Sequence, residues 1–372
     1  MSMGNGRVII IGGGIVGLST AYFLGKAGVA STIIERDSVG SHASGFALGS
    51  LSAVSADGVE PALEEMSFDG MRIHRYLGSV LTSETGLQTG YGPKCLLSLA
   101  FDEAEATAAK AAVERQQQHA GYSVRWLGTL EAKAVEPRIS DEVLGGVHIE
   151  GSTQVVPDQF ALALARADEN LGATILHGTV TGLTQRSGRV TGVSMGNKHL
   201  PCEQVVIASG PWSVEASDWL GTAIEVGPLK GQILRLRASG PPVECSVGWA
   251  GNYATTKPDG LVWTGTTEEE VGFDETPTVE AHDRIMASLN KMLPSLGSVD
   301  LVRQTACLRP VTPDRLPVIG DVPGVEGVFL ATGAERKGIL LGPSMGRITA
   351  DILTTGTSDI AIDAFDPSRF GA

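Results

Sequence analysis

Near the start of the chain a short β-branched run, Val8-Ile9-Ile10-Ile11, leads directly into three glycines at fixed spacing, Gly12-x-Gly14-x-x-Gly17. Arg7 precedes the run, and Leu18 to Leu24 continue it with helical character up to Gly25. Such a pattern commits the backbone to a buried parallel strand that turns sharply into a helix. The first glycine makes the tight turn, the second lets backbone approach a pyrophosphate, and the third packs the helix on the strand. Ile15 and Val16 open that helix, whose free N–H groups and partial positive charge favour an anion. Thr32-Ile33-Ile34-Glu35 reads as a second strand, closed by Glu35 at 18 residues beyond Gly17 and followed by Arg36. An acid there accepts hydrogen bonds from ribose hydroxyls and disfavours a 2′-phosphate. Strand, spacing, helix and acid agree on dinucleotide binding, and leave FAD and NAD both open.

Composition narrows the class. At 372 residues the chain is long enough for two or three structural units with a sizeable core. Glycine is in excess, 48 of 372 residues, against a usual ~7%. The formal charge of −14, from 28 Lys plus Arg and 42 Asp plus Glu, comes without a basic run, and 5 Trp, 5 Tyr and 9 Phe make aromatics sparse. A nucleic-acid partner is therefore not expected. Cys95, Cys202, Cys245 and Cys307 are scattered without CxxC or zinc spacing, so four reduced thiols, a cytoplasmic location and no metal site are expected. Residues 8 to 25 are uncharged and long enough to suggest a signal anchor. Their glycines fit a strand–turn–helix better, and no other stretch reads as a membrane span.

Along the rest of the chain, 40–58 reads as a Ser/Ala/Gly-rich loop, 60–81 as an amphipathic helix broken at Gly70, and 102–119 as a surface helix. Pro157 to Leu171 reads as a helix and 180–194 as a hairpin turned at Ser187-Gly188. Gln204 to Gly210 and Val328 to Gly333 are buried strands ending on glycine, the second followed by a helix from Pro343. Strands are expected over 227–237 and 260–267, then a helix over 279–293. Strand–glycine–helix units lie at both ends, and antiparallel patterning lies between them. The fold class is therefore α/β, a Rossmann-like cofactor domain (1–50, 150–215 and 300–372) with an inserted α+β substrate domain on a mixed sheet (51–149 and 216–299).

Five separated stretches carry a resemblance. They are VIIIGGGIVGLSTAYFLGKAG with IIER (8–36), SHASGFALGS (41–50), VVPDQFALALARADENLGATI (155–175), ACLRPVTPDRLPVIGD (306–321) and FLATGAERKGILLGPSMGRITADIL (329–353). Together they resemble the D-amino-acid oxidase superfamily, within it the glycine oxidase and sarcosine oxidase group. The resemblance implies bound FAD. It also implies that Ser44, Ala47, Leu48 and Gly49 run beside the cofactor, that the Val180 backbone holds the adenine, and that Gly210 lies near the cofactor. The loop from Gly333 through Gly338, Ile339 and Leu340 to Leu341 matches one beneath the flavin, where backbone N–H groups and the helix opening at Pro343 stabilise negative charge.

For the substrate, Arg309 and Arg336 resemble the two arginines that glycine oxidases place around a carboxylate, a task suited to the planar guanidinium fork. Tyr253 resembles the family's substrate tyrosine. There are departures. Ala334 stands where glycine oxidases have a histidine, and Glu268 stands where they have a methionine, which puts glycine itself in doubt as substrate. Glu268-Glu269-Glu270 reads as a solvated turn, with Glu268 in the pocket as the alternative. Cys307 occupies the place of the cysteine that binds FAD covalently in monomeric sarcosine oxidases, and the LRP beside it favours a buried free thiol. Trp263 stands where those oxidases carry a lysine that helps oxygen react.

The expected activity is FAD-dependent oxidation of the C–N bond of a small amino or N-alkyl amino acid, by hydride transfer to flavin N5, giving an imine that hydrolyses. The acceptor is oxygen or, as a D-amino-acid-type dehydrogenase, a quinone or carrier. A non-catalytic flavoprotein or assembly factor on this fold remains an alternative, which Arg309 argues against. A nicotinamide-dependent dehydrogenase would need a second glycine fingerprint, which the sequence lacks. A homo-oligomer stays open.

Overall fold

A computed structural model describes residues 8–58, 60–116 and 119–371. Arg7 lies outside them, as do two residues near the end of the helix expected over 102–119, which is seen as Glu103–Gln116.

Two sheets organise the chain. The first has six strands, in the order Val318–Asp321, Val328–Thr332, Gln204–Ile207, Val8–Ile11, Ser31–Glu35, Thr174–His177. All its pairings are parallel except that of Val318–Asp321 with Val328–Thr332. The Val8–Ile11 strand is buried along its whole length, as the unbroken apolar run requires in a sheet covered on both faces. Helices Ile15–Lys26 and Gly338–Thr355 pack together over this sheet, although hundreds of residues separate them in the chain. The second sheet has eight strands, ordered Val299–Val311, Gly227–Ala238, Val262–Gly265, Asn252–Thr256, Ser246–Trp249, Leu96–Ala100, Gly145–Glu150, Ser123–Gly128. It is mixed, since Ser246–Trp249 and Leu96–Ala100 pair in parallel within otherwise antiparallel neighbours.

Several expectations are corrected. The helix Glu64–Thr85 runs unbroken through Gly70, whose missing side chain lets the Leu340 carbonyl approach. The 40–58 segment contains a short helix, Ala43–Phe46, and a strand, Ser50–Leu51, instead of loop alone. The last long helix opens at Gly338, and Pro343 lies inside it. Val299–Val311 pairs with Gly227–Ala238 along its length, within the eight-stranded sheet.

The cysteines are corrected as well. Cys95 and Cys245 form a disulfide across 150 residues of sequence, with Cα atoms 4.7 Å apart, while Cys202 and Cys307 are free and buried. Each bonded cysteine immediately precedes a strand, and the parallel register Ser246 to Leu96 sets them side by side. Among the described residues no helix is long and apolar enough to cross a membrane.

Candidate active site

A cavity of about 1120 Å³ lies between the two sheets. Its floor is the glycine turn. At Gly12, φ is +111°, and a side chain there would stand 2.5 Å from the carbonyl oxygen of Ala208, just past the neighbouring strand. Only glycine satisfies both the turn and that approach. Glu35 lines the cavity and accepts hydrogen bonds from Gly13 N (2.7 Å) and Asp37 N (2.8 Å), which ties the end of its strand to the turn. A carboxylate offers about four lone-pair sites, so acceptor capacity remains. Ser44 Oγ accepts from Ile15 N at 3.0 Å, fixing the start of the helix. Arg36 stacks on Trp212, 4.1 Å from its ring.

Gly12, Gly14, Ile15, Val16, Glu35, Arg36, Ser44, Ala47, Leu48, Gly49, Val180, Gly210, Gly333, Gly338, Ile339 and Leu340 all line this one cavity. Gly17 does not, because it packs on the Gly12 carbonyl behind the turn.

The late helix presents its first turn to the cavity at Gly338, Ile339 and Leu340, three to five residues before Pro343. Proline has no N–H, so the Ile339 carbonyl loses the partner that a regular helix would give it from residue 343. His74 supplies the replacement, with Nε2 2.7 Å from Ile339 O. It is fully buried, and burial lowers its pKa to about 4, so the ring is neutral at ordinary pH. Nothing in the local sequence marks this histidine; only the contact between two distant helices shows its role.

On the side of the eight-stranded sheet, Arg309, Tyr253, Arg336, Glu268 and Cys307 line the same cavity. Arg309 is 9% exposed. Its Nη1 donates to Thr267 O at 3.1 Å and its Nη2 to Thr266 Oγ1 at 2.7 Å. Gly231, on the neighbouring strand, makes room for the guanidinium, which lies where any side chain at 231 would project. Among the described residues no carboxylate forms an ion pair with Arg309. Burial and the loss of water raise the Tyr253 pKa, so its phenol stays protonated as a donor. Burial also pushes the Cys307 thiol up to about 11.

Arg336 is more exposed and already engaged, with Nη1 3.3 Å from Glu268 Oε1 and Nη2 2.8 Å from Gly251 O. Glu268 also faces Arg315 at 3.8 Å. The three-glutamate run is therefore not a uniformly solvated turn. Glu268 sits at the exposed edge of the cavity, whereas Glu269 turns inward and accepts from Gln232 Nε2 at 3.0 Å. Ala334 is buried and lines the cavity, a small side chain close to Arg336. Trp263 is not among the lining residues. It is buried under Arg235, 4.0 Å from the guanidinium, and donates from Nε1 to Asp259 at 3.1 Å.

Lys257 is a further residue that the sequence did not single out. It is buried and donates to Val155 O at 2.7 Å and Gln154 Oε1 at 3.1 Å, and Val155 N in turn bonds Gly49 O. Burial, with Lys94 nearby, lowers its pKa to about 7. It braces the Leu48–Gly49 wall of the cavity from behind.

Residues 7–352 match the DAO family, FAD dependent oxidoreductase. The chain belongs to this family. It is 31% identical over 350 residues to the glycine oxidase of Pseudomonas aeruginosa, covering 94% of each chain. The crystal structure of glycine oxidase from Geobacillus kaustophilus superposes with a TM-score of 0.92 at 28% identity, covering 98% of this chain and 99% of the other. An iminodiacetate oxidase from Chelativorans sp. BNC1 superposes at 0.90 with 25% identity, covering 97% and 99%. The DAO-family protein is an FAD-dependent oxidoreductase. The glycine cradle at Gly12, which a side chain would fill, and the two helix openings converging on one cavity fit that cofactor.

Proposed function

We propose that this DAO-family enzyme oxidises a small amino or N-alkyl amino acid whose carboxylate is bound by Arg309. One observation supports the reading above the others: a buried guanidinium in the cofactor cavity that makes no ion pair among the described residues. Removing such a charge from water is costly unless an anion completes the site, and a planar carboxylate matches its fork. FAD, when bound, supplies the two-electron acceptor for the substrate's C–H bond.

The chain's own residues then bind and orient. Thr266 and Thr267 hold the guanidinium from one side, leaving its remaining N–H groups for the substrate. The protonated Tyr253 phenol is a second donor to the carboxylate. Arg336 and Glu268 form the outer edge, where the glutamate favours a cationic or amine-bearing group. Ala334, small where related enzymes carry a histidine, leaves space for a substituent on the amine, so an N-alkyl amino acid fits better than glycine. No strong protein base is needed, because a neutral amine releases its electrons as the C–H bond breaks and orientation supplies the rate. The imine product is then hydrolysed by water.

We further propose a discontinuous cofactor domain (1–50, 150–215 and 300–372) and a substrate domain (51–149 and 216–299), with the eight-stranded sheet facing the cofactor. Oxygen as acceptor would give hydrogen peroxide; a quinone or carrier would take the same two electrons. Anaerobic titration of the yellow holoprotein with glycine, sarcosine, proline and D- and L-alanine tests the reading. At least one should bleach the flavin, and the rate of return on admitting oxygen or a quinone identifies the acceptor. If none bleaches it while dithionite does, the amino-acid reading is wrong.

A further inference from the structure

A second cavity, of about 270 Å³, lies on the same face of the eight-stranded sheet, beside the cofactor cavity. The two share a wall, since Gly40, Ser41 and Phe46 line both. On its sheet side are two arginines, Arg235 and Arg303, which are direct cross-strand partners. Like charges placed opposite each other destabilise a sheet unless something offsets them. Neither arginine makes an ion pair among the described residues, and Arg235 Nε is buried with no hydrogen-bond partner. Ser41 Oγ, in the shared wall, is likewise buried and unpartnered. Aromatic faces position both guanidinium groups. Arg235 lies 4.0 Å from the Trp263 ring and Arg303 lies 5.4 Å from the Phe46 ring.

Asp158 contributes one carboxylate to the cavity, too far from either guanidinium for an ion pair. It stands in the first turn of the helix Pro157–Asn170, so its charge is partly taken up by that helix's positive end. A second carboxylate, Asp259, accepts from Trp263 Nε1 at 3.1 Å and offsets Arg235 from outside the cavity, so toward the cavity itself two guanidinium groups and a helix N-terminus face the single lining carboxylate of Asp158. Its volume accommodates several waters at about 30 Å³ each, or one small anion.

We propose that this cavity is a binding subsite for a small oxyanion, held between Arg235 and Arg303 with Ser41 Oγ as a further donor. It is separate from the carboxylate site at Arg309 and does not depend on amine oxidation. Inorganic phosphate and the carboxylates of a small organic acid share the required chemistry, namely planar or tetrahedral oxygens that accept from guanidinium N–H groups. Because Gly40 N bonds Gly13 O at 3.0 Å, the wall the anion touches is tied to the glycine turn, and occupancy is read by the cofactor.

The test titrates the FAD-loaded protein with inorganic phosphate and, separately, with malonate, at constant ionic strength held by chloride. Binding is followed by calorimetry and by the flavin difference spectrum. In Arg309→Lys, where the fork of the carboxylate site is lost, saturable binding at one site is expected, and the tighter of the two ligands there identifies the source of the oxyanion. Loss of one charge-assisted hydrogen bond should weaken binding on the order of 10- to 100-fold in Arg303→Gln. That residue is exposed, so the variant should fold. Arg235→Gln combined with Arg303→Gln should abolish saturation, and Arg309→Lys should leave it unchanged. Absence of saturation in the wild type, wild-type binding in Arg303→Gln, or loss of binding in Arg309→Lys would each overturn the proposal.

Discussion

At the scale of single residues, the site depends on what lies behind Arg309 as much as on Arg309 itself. Gly231 leaves the space that the guanidinium occupies. Gly231→Ala should therefore keep FAD and displace the arginine, raising KM for a carboxylate substrate about tenfold or more, the value of one charge-assisted hydrogen bond. Retention of wild-type KM would show that the guanidinium is free to move aside. Cys307 is free, buried and poorly ionised, with its thiol near 11, which disfavours a thiolate attack on the cofactor. Acid precipitation should leave yellow supernatant; colour retained in the pellet would establish a covalent link. The sequence made the glycine turn legible because backbone geometry restricts residue choice there. Lys257 and Gly231 were not legible, since a buried lysine bracing a carbonyl and a glycine facing an arginine have no local signature.

At the scale of elements, the first turn of the late helix is held by another helix. His74 replaces the hydrogen bond that Pro343 removes from Ile339 O. His74→Leu leaves a buried carbonyl unpaired and should cost about 1–3 kcal/mol, with FAD affinity falling because that turn lines the cofactor cavity. Gln, which keeps a donor, should restore part of both. Equal FAD affinity in wild type and His74→Leu would remove the histidine from the account. The same residue predicts a pH dependence. Its pKa falls from 6.5 in the unfolded chain to about 4 in the fold, so between those values the unfolded state binds more protons. Stability from this group is complete above pH 6.5 and declines as pH falls toward 4, by about 3 kcal/mol at most. Wild-type denaturation midpoints should fall across that window more steeply than those of His74→Gln. The sequence showed both helices, but it broke the first at Gly70 and opened the second at Pro343, where glycine and proline are usual punctuation. Tertiary contact overrode both signals, through a carbonyl seated on Gly70 and a histidine compensating for the proline.

At the scale of the whole molecule, two sheets are assembled from interleaved stretches of chain, and their clearest signals are the buried parallel strands at either end. The order of the eight-stranded sheet was not legible, because pairings such as Leu96–Ala100 with Ser246–Trp249 join segments far apart in sequence. The Cys95–Cys245 disulfide was hidden for the same reason. It closes a long loop, so it should contribute about 2–4 kcal/mol. Protein denatured without reductant should show two free thiols, from Cys202 and Cys307, and reductant should lower the melting temperature of the wild type but not of a Cys95→Ser, Cys245→Ser double variant. Four titratable thiols without reductant would contradict the bond.

The most direct test of the central claim is the anaerobic rate of flavin reduction by an amino acid that bleaches the wild type, measured by stopped flow for wild type, Arg309→Lys and Arg309→Ala, each loaded with FAD. The lysine variant keeps the charge but loses the fork, so its kcat/KM for reduction should fall on the order of 10- to 100-fold. The alanine variant should fall further, and the loss should shrink when the substrate's carboxylate is replaced by an uncharged amide. Reduction of Arg309→Ala by the amino acid at the wild-type rate would contradict the account, and would point to an amine without a carboxylate as the substrate.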